Sequence, residues 1–198
     1  MARHSQTVLI AGATGYLGKH LITAFHRAGY RVRALARQPE SLAGLTGQID
    51  EIVFAQATQP ATLRGVMADV DIVISALGIT RQRDGLTYED VDYQANMNLL
   101  TEAELAGVSR FAYVHVKNAE ALPKVPMAAA KSRFAAALLL LCSSFLSCIK
   151  MKPEWARMGV YLTVIPESLC YACYFYDVSF ILCGDNLSWR GRGSLFFT

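Results

Sequence analysis

The first two thirds of the chain alternate between short apolar runs and amphipathic segments. Residues 7–13 form an apolar run that ends in a turn, which is typical of a buried parallel strand. Leu17, Leu21 and Phe25 follow at every fourth position, which predicts one buried face of a helix. Gly29 stands where helices commonly end. A strand followed directly by a helix is therefore the first predicted unit.

The same alternation repeats as far as residue 116. Further strands are predicted at residues 30–36, 51–55, 71–77 and 110–116, with a short helix from Pro60 and a long helix over residues 88–106. Strands separated by helices indicate a parallel sheet that is covered on both faces. Right-handed crossovers then favour a Rossmann-type, doubly wound α/β sheet with strand order 3-2-1-4-5.

A glycine-rich turn joins the first predicted strand to the first predicted helix. Gly12 permits a sharp turn, Gly15 lets a pyrophosphate approach the backbone, and Gly18 lets the helix pack close to the strand. The unpaired amides at the start of the helix would face the anion. The alternative is a glycine-rich turn that holds no ligand. We predict dinucleotide contacts at Gly12, Thr14, Gly15, Tyr16, Leu17 and Gly18.

The end of the second predicted strand bears on the choice between the two nicotinamide dinucleotides. An acidic residue at this position would bind the 2′-hydroxyl of NAD. The chain instead has Arg37, with Arg33 upstream, and a guanidinium can pair with a 2′-phosphate. We therefore predict that NADP(H) is favoured over NAD(H), with Arg37 as a solvated surface residue as the alternative.

Composition narrows the class of protein. The chain has 198 residues, of which 53% are hydrophobic and 18% charged, which indicates a folded domain. The net charge of +3 and the lack of a basic stripe predict no nucleic-acid partner. The first six residues contain no signal peptide, and all five cysteines follow residue 141. This distribution favours a reducing, cytoplasmic location.

Five segments, taken in order, resemble a known family. The segments GATGYLG, VRALAR, DIVISALGIT, DVDYQANMNLL and RFAYVHV are similar to the NmrA-like branch of the atypical short-chain dehydrogenases/reductases. The resemblance runs from about residue 7 to residue 138. It implies that residues 1–137 are an NAD(P)-binding Rossmann domain, and that the chain is an oxidoreductase acting on an unidentified small substrate.

The resemblance also implies roles for particular positions. Ala76, Leu77 and Gly78 match a loop that passes a cofactor ribose. Asn96 matches a polar position that shapes the same side of the site, and Lys131 matches a lysine that reaches the nicotinamide ribose. The alternative for Lys131 is a solvated helix lysine.

Three departures from the family pattern bear on catalysis. Many reductases of the superfamily use Tyr-x-x-x-Lys, but Met127 stands at the tyrosine position. His115 lies where a serine is usual, and it is either a packed strand residue or a substitute acid or base. Gln56 replaces an aspartate that contacts adenine, and its amide could still bond to the base. Lys131 and His115 are thus weak catalytic candidates.

The last third of the chain differs in composition. Residues 138–149 are strongly apolar but shorter than the ~20 residues that span a bilayer, so we expect a buried helix rather than membrane contact. Residues 161–165 are predicted to form a sixth strand that completes the sheet, so residues 138–166 form one segment. Residues 167–198 show no clear period and form an irregular tail. Cys170 and Cys173 have no second pair nearby, so no metal site is predicted.

The composition break suggests that the tail is not the family's own C-terminus. A change of reading frame or a retained intron would produce such a break. Three functions stay open: an NADP(H)-dependent enzyme, a non-catalytic NADP(H) sensor or assembly factor with a protein partner, and a truncated family member without a substrate pocket. The missing tyrosine favours the second of these, and the glycine turn is neutral between the first two.

Overall fold

A computed structural model describes residues 6–79, 85–116 and 119–142, together with short strands after residue 162. The strands and helices of the first part alternate along the chain, as the sequence predicts. Their order is β1 (Thr7–Ala11), α1 (Tyr16–Arg27), β2 (Arg31–Ala36), a 3₁₀ helix (Pro39–Gln48), β3 (Glu51–Phe54), a 3₁₀ helix (Pro60–Leu63), β4 (Ile72–Ser75), a π-helical turn (Glu89–Gln94), α2 (Ala95–Leu105), β5 (Arg110–Val116), a 3₁₀ turn (Ala119–Ala121) and α3 (Pro126–Cys142).

The first five strands are parallel and lie side by side in the order β3-β2-β1-β4-β5. This order confirms the predicted Rossmann-type fold. In the central register, Val8 of β1 pairs with Val32 on one side and Ile72 on the other. The carboxyl ends of β1, β2 and β4 therefore lie together at one edge of the sheet, where open α/β folds bind their ligands.

The two faces of the sheet are each covered by helices, because alternate residues of a strand point to opposite faces. Leu9 and Val73 belong to one core cluster, together with Leu99 of α2 and Phe134 of α3. Val8, Ile10 and Ile74 belong to the other cluster, which also contains two residues of α1, Ile22 and Phe25. Burial on both faces explains why the strands read as continuous apolar runs.

Helix α1 buries a face that is rotated by about one residue from the predicted one. The buried residues are Gly18, Ile22 and Phe25, whereas Leu17 and Leu21 are only half-buried. The rotation follows from Gly18, whose missing side chain lets the helix lie against the preceding turn. The sequence pattern marks the apolar side of the helix, but this close contact sets its angle.

The later part of the chain contributes further strands, namely β6 (Thr163–Val164), β7 (Cys170–Phe175), β8 (Val178–Cys183), β9 (Leu187–Trp189) and β10 (Leu195–Phe197). β8 pairs antiparallel with β5, β7 follows it, and β6 lies outermost. The strand predicted at residues 161–165 is thus found at Thr163–Val164, at the outer edge of the sheet. The tail predicted to be irregular contains four of these strands.

The predicted apolar helix is described only as far as Cys142, where α3 ends. Its continuation over residues 143–149 lies outside the described residues. Within the described part of the chain, no helix has the length and apolar character needed to cross a membrane.

Arg33 fixes the amino-terminal half of β2 to its surroundings. Its guanidinium donates to Glu51 (Nε to Oε2, 2.8 Å) and to the carbonyl oxygens of Val66 (2.9 Å) and Ala68 (2.7 Å). The Arg33 side chain is only 12% exposed. These bonds tie β2, β3 and the segment before β4 together.

We expect Arg33→Met to lower the free energy of unfolding by about 2 kcal/mol, because charge-assisted hydrogen bonds to two carbonyls are lost from a mostly buried site. Arg31→Met is the matched control, since Arg31 is exposed on the same strand. Urea denaturation of the two variants measures the difference. Equal stabilities would show that the Arg33 contacts contribute little.

Candidate functional site

A cleft opens at the carboxyl ends of β1, β2 and β4. Its walls come from the turn after β1, the end of β2, the segment after β3, the loop after β4 and the start of the long helical segment. The residues that line it are Gly12, Thr14, Gly15, Leu35, Ala36, Arg37, Gln56, Ala57, Thr58, Ala76, Leu77, Gly78, Ile79, Leu86, Val91 and Ala95. The cleft therefore lies where the strand order reverses direction between β1 and β4.

The glycine turn forms the floor of the cleft. Gly12 has φ of +78°, and a Cβ on it would lie 2.7 Å from the carbonyl oxygen of Ala76. A Cβ on Gly18 would overlap the carbonyl oxygen of Gly12. The Gly15 amide donates to that same oxygen at 3.0 Å. The glycines at these positions thus permit a compact turn that side chains would push apart.

Helix α1 begins at this turn and points its positive end at the cleft. Gly15 is its N-cap and makes no side-chain capping bond, and the first turn carries no acidic residue. The first amides of a helix have no acceptor within the helix, so they are available to an anion. The last turn carries His26 and Arg27, which complement the negative end of the helix dipole.

The β2 side of the cleft carries a cation and an amide. Arg37 is exposed immediately after β2. Gln56 follows β3 and is half-buried, and its Nε2 donates to the hydroxyl of Thr58 at 2.9 Å. Since Nε2 makes this bond, the amide oxygen is the group through which Gln56 could accept a hydrogen bond from a ligand. The arrangement suits a phosphate near Arg37 and a hydrogen-bond donor near Gln56.

The loop after β4, residues 76–79, forms the opposite wall and is here called the β4 loop. The Ala76 amide donates to Ala11 at 2.9 Å, and the Leu77 amide donates to the Ser75 hydroxyl at 3.3 Å. The Ile79 amide donates to the Asp92 carboxylate at 3.3 Å. Three backbone amides of the β4 loop are therefore hydrogen-bonded to groups outside the loop.

Lys131 and Asp92 form a buried ion pair behind the β4 loop. Lys131 Nζ lies 3.0 Å from Asp92 Oδ1, and the two side chains are 9% and 0% exposed. The same ammonium donates to the Leu77 carbonyl (3.3 Å), the Tyr113 hydroxyl (3.3 Å) and the Val114 carbonyl (3.4 Å). Lys131 thus contacts the β4 loop from behind.

Burial dominates the electrostatics of this cluster. It raises the pKa of Asp92, and the nearby Lys131 charge opposes part of that effect. It lowers the pKa of Lys131, which the Asp92 charge opposes in turn. Burial, with a smaller contribution from the Asp92 charge, raises the pKa of Tyr113 well above its usual value. Tyr113 is therefore a poor proton donor here.

Asn96 links the π-helical turn to the end of β4. Its Oδ1 accepts a 2.5 Å hydrogen bond from the Ser75 hydroxyl, and its Nδ2 donates to the carbonyls of Val91 (3.2 Å) and Asp92 (3.0 Å). Asn96 is fully buried. It supports the wall of the cleft from behind and does not line it.

The structure brings eight of the predicted site residues together around the cleft, namely Gly12, Thr14, Gly15, Arg37, Gln56, Ala76, Leu77 and Gly78. Tyr16, Leu17 and Gly18 lie in the first turn of α1, where Tyr16 is 83% exposed. His115 is half-buried on β5 with its ring 5.9 Å from that of Tyr113, and it does not line the cleft.

The sequence analysis missed Asp92 and Tyr113. The one available signal for Asp92 is its place four residues before Asn96 in a segment predicted to be helical, which puts both side chains on one face. In the sequence, Tyr113 cannot be distinguished from the apolar residues of the strand predicted at residues 110–116. Within the described residues there is no group of three or more His, Cys, Asp or Glu side chains that could hold a metal.

Comparison with known proteins places this geometry in a family. A family model described as NAD(P)H-binding matches residues 12–139. The photosystem II assembly factor Ycf39 of Synechocystis is 31% identical over 120 residues, which cover 61% of this chain and 36% of that protein. The chloroplastic divinyl chlorophyllide a 8-vinyl-reductase of Zea mays is 30% identical over 115 residues, which cover 53% of this chain and 29% of the reductase. The chain thus spans about a third of the length of these relatives.

Solved structures share the fold. A protein of Bacillus halodurans named as an NAD-dependent epimerase/dehydratase superposes with a TM-score of 0.59 at 23% identity, covering 67% of this chain and 64% of its own. The NADPH-dependent quinone oxidoreductase QOR2 of Escherichia coli, solved with NADPH, superposes with a TM-score of 0.53 at 22% identity, covering 66% and 44%. At this identity the likeness extends to the fold alone.

Two glycine substitutions separate backbone strain from crowding at the cleft. We expect both Gly12→Ala and Gly29→Ala to lose about 1–2 kcal/mol of unfolding free energy, because both glycines have positive φ. Gly12→Ala loses a further ~1–3 kcal/mol from crowding against Ala76, whereas nothing lies within 4 Å of a Cβ on Gly29. Chemical denaturation measures both. Equal losses would contradict the close approach at Gly12.

Proposed function

Because this chain belongs to the NAD(P)H-binding family whose model matches residues 12–139, we propose that it uses NADP(H) in an oxidoreductase reaction on a small substrate that is not yet identified. The observation that carries the proposal is the cleft, which joins a glycine turn at a helix start to an arginine at the end of β2. These are the two anion-binding elements that a 2′-phosphorylated dinucleotide needs.

The cleft residues fit the cofactor in three places. Gly12 and Gly15 line the cleft with bare backbone, and a Cβ on either would crowd the protein's own carbonyls, so the compact turn can face a pyrophosphate. Arg37 is placed for a 2′-phosphate, since it is exposed immediately after β2 and lines the cleft. Gln56 presents an amide oxygen to an adenine amino group.

In this proposal the chain's own residues bind and orient. Bound NADPH would supply a hydride, and the cleft would hold the substrate against it. Among the described residues that line the cleft there is no tyrosine, histidine, lysine or acidic side chain. Tyr113 is fully buried, and Met127 occupies the position of the usual tyrosine. Any proton that the reaction needs would therefore come from a group other than the standard tyrosine–lysine pair.

That missing proton donor also favours a second candidate function, in which the chain is a non-catalytic, NADP(H)-responsive assembly factor. The similarity to an assembly factor, Ycf39, supports this candidate, and the similarity to a vinyl-reductase supports the first. The two candidates share the same cofactor cleft and differ only in turnover.

A turnover assay separates the two candidates. The protein is mixed with NADPH and a panel of carbonyl and alkene compounds, and the absorbance of the reduced nicotinamide is followed. Steady oxidation of NADPH supports the enzyme. Tight NADPH binding without turnover supports the assembly factor, and failure to bind either nicotinamide dinucleotide would refute the cofactor proposal itself.

Arg37 is the residue that tests cofactor preference. We expect Arg37→Met to weaken NADPH binding by about 1.5–3 kcal/mol, roughly tenfold or more, and to leave NADH binding unchanged, because only NADPH carries the 2′-phosphate. Isothermal titration calorimetry with both cofactors measures this. Arg31→Met is the control, since Arg31 begins β2 at the edge opposite the cleft. Equal affinity of the unmodified protein for both cofactors would count against an NADP(H) preference.

A further inference from the structure

The β4 loop is held from behind by groups that come from two other elements. Asp92 of the π-helical turn accepts from the Ile79 amide, and Lys131 of α3 donates to the Leu77 carbonyl. The two side chains form an ion pair with each other. The loop therefore has one amide and one carbonyl bonded to the two halves of a single buried pair, here called the Asp92–Lys131 pair.

Lys131 has no spare donor in this arrangement. An ammonium has three N–H groups. Four oxygen atoms surround it, from Asp92, Leu77, Tyr113 and Val114, at 3.0 to 3.4 Å. A lysine so placed would have to release a protein acceptor before it could bond to a cofactor ribose. Its present contacts instead fix the backbone that faces the cleft.

Gly78 shows how closely the β4 loop lies on the pair. A Cβ on Gly78 would lie 2.8 Å from Asp92 Oδ1 and 3.1 Å from Lys131 Nζ. The Gly78 side-chain position therefore points toward the pair and away from the open cleft. A side chain here would displace the Asp92 carboxylate and the Lys131 ammonium or lift the loop off them.

The π-helical turn places Asp92 under the loop. Wide turns of this kind often occur at functional sites. Asn96 donates to the carbonyls of Val91 and Asp92, which holds this turn in place, and Asp92 is fully buried. A buried ion pair adds little net stability, since the cost of desolvating two charges offsets their attraction. The geometry of the pair is thus better explained by what it positions.

The sheet order indicates which half of a dinucleotide the β4 loop would face. The adenosine half belongs with β2, where residue 37 meets the 2′-position, and the second mononucleotide half belongs beyond β1, with β4 and β5. The β4 loop is therefore on the nicotinamide side of the cleft. This step rests on the function proposed above.

We propose that Asp92 and Lys131 are positioning residues that hold the β4 loop in the shape needed for the nicotinamide half of the cofactor, without contacting the cofactor themselves. The pair acts through the Leu77 carbonyl and the Ile79 amide. Breaking it should weaken the nicotinamide half of the site and leave the adenosine half intact.

Two ligands report on the two halves separately. NADPH occupies both halves, whereas 2′,5′-ADP carries only the adenosine portion with its 2′-phosphate. We expect Asp92→Asn and Gly78→Ala to weaken NADPH binding about tenfold and to change 2′,5′-ADP binding by no more than about twofold, because the first removes the charge of Asp92, the second crowds the pair, and both act on one side of the cleft only. Titration calorimetry measures both affinities, and NADH with 5′-AMP replaces them if the protein prefers the unphosphorylated cofactor.

Glu89→Gln is the matched control. Glu89 lies in the same π-helical turn and also pairs with α3, through Arg133 at 2.8 Å, but both side chains are at least half exposed. It should change neither affinity. If the single variants fail to fold, Asp92→Leu/Lys131→Met replaces the pair with apolar groups and should fold while showing the same split between the ligands.

The outcomes separate the inference from the function on which it rests. Unmodified protein that binds neither ligand would refute the proposed function. If it binds both, equal weakening of both ligands by the Asp92 and Gly78 variants, or no weakening, would overturn the positioning role. Loss of folding in the single and the double variants alike would show that the pair supports the whole domain, and would also overturn the positioning role.

Discussion

The cleft depends on three places where backbone approaches other groups too closely for a side chain. At Gly12 the turn after β1 touches the carbonyl of Ala76, and at Gly18 helix α1 touches the turn. At Gly78 the β4 loop rests on the Asp92–Lys131 pair. Each contact brings one wall against its neighbour. A methyl group on Gly12 or Gly18 would force backbone apart, and one on Gly78 would displace the two charged groups, so these glycines are a steric requirement of the site and not a source of flexibility.

The order of the central strands could be predicted because it follows from local patterns and chirality. Each strand has its own apolar run, each crossover is right-handed, and the glycine turn marks β1. The position of Arg37 followed from its distance beyond the turn. The buried face of α1 was predicted one residue away from its true position. The contact of Gly18 with the turn fixes this face, but a glycine adds nothing to a pattern of apolar side chains. The sixth strand was predicted at residues 161–165, but β7 and β8 between it and β5 were not predicted, since antiparallel neighbours leave no helical signal between the strands.

The polar cluster behind the β4 loop was beyond the reach of sequence patterns. Lys131 was noted through a family resemblance, but its acceptors come from the π-helical turn, the β4 loop and β5, which only the folded chain brings together. Tyr113 looks like an apolar strand residue and is buried like one. Its hydroxyl nevertheless meets the Lys131 ammonium, so a tyrosine and a lysine adjoin in space although the sequence lacks the usual spacing. Burial raises the pKa of this tyrosine, so its contact with Lys131 supports the fold and does not make Tyr113 a proton donor.

The distribution of charge indicates what the cleft can do. Arg33 is bonded to Glu51 and two carbonyls, and the Asp92–Lys131 pair is balanced and buried, so neither contributes much net charge to the cleft. Arg37 and the positive end of α1 stay on its rim and floor. The positive end of α1 thus faces the place where phosphates would lie, and the β4 loop on the opposite wall carries small and apolar side chains. Among the described residues of the cleft there is no tyrosine, histidine, lysine or acidic side chain. Within the function proposed above, this lining favours a hydride acceptor that needs no protonation by a tyrosine, or a protein partner that senses the bound cofactor.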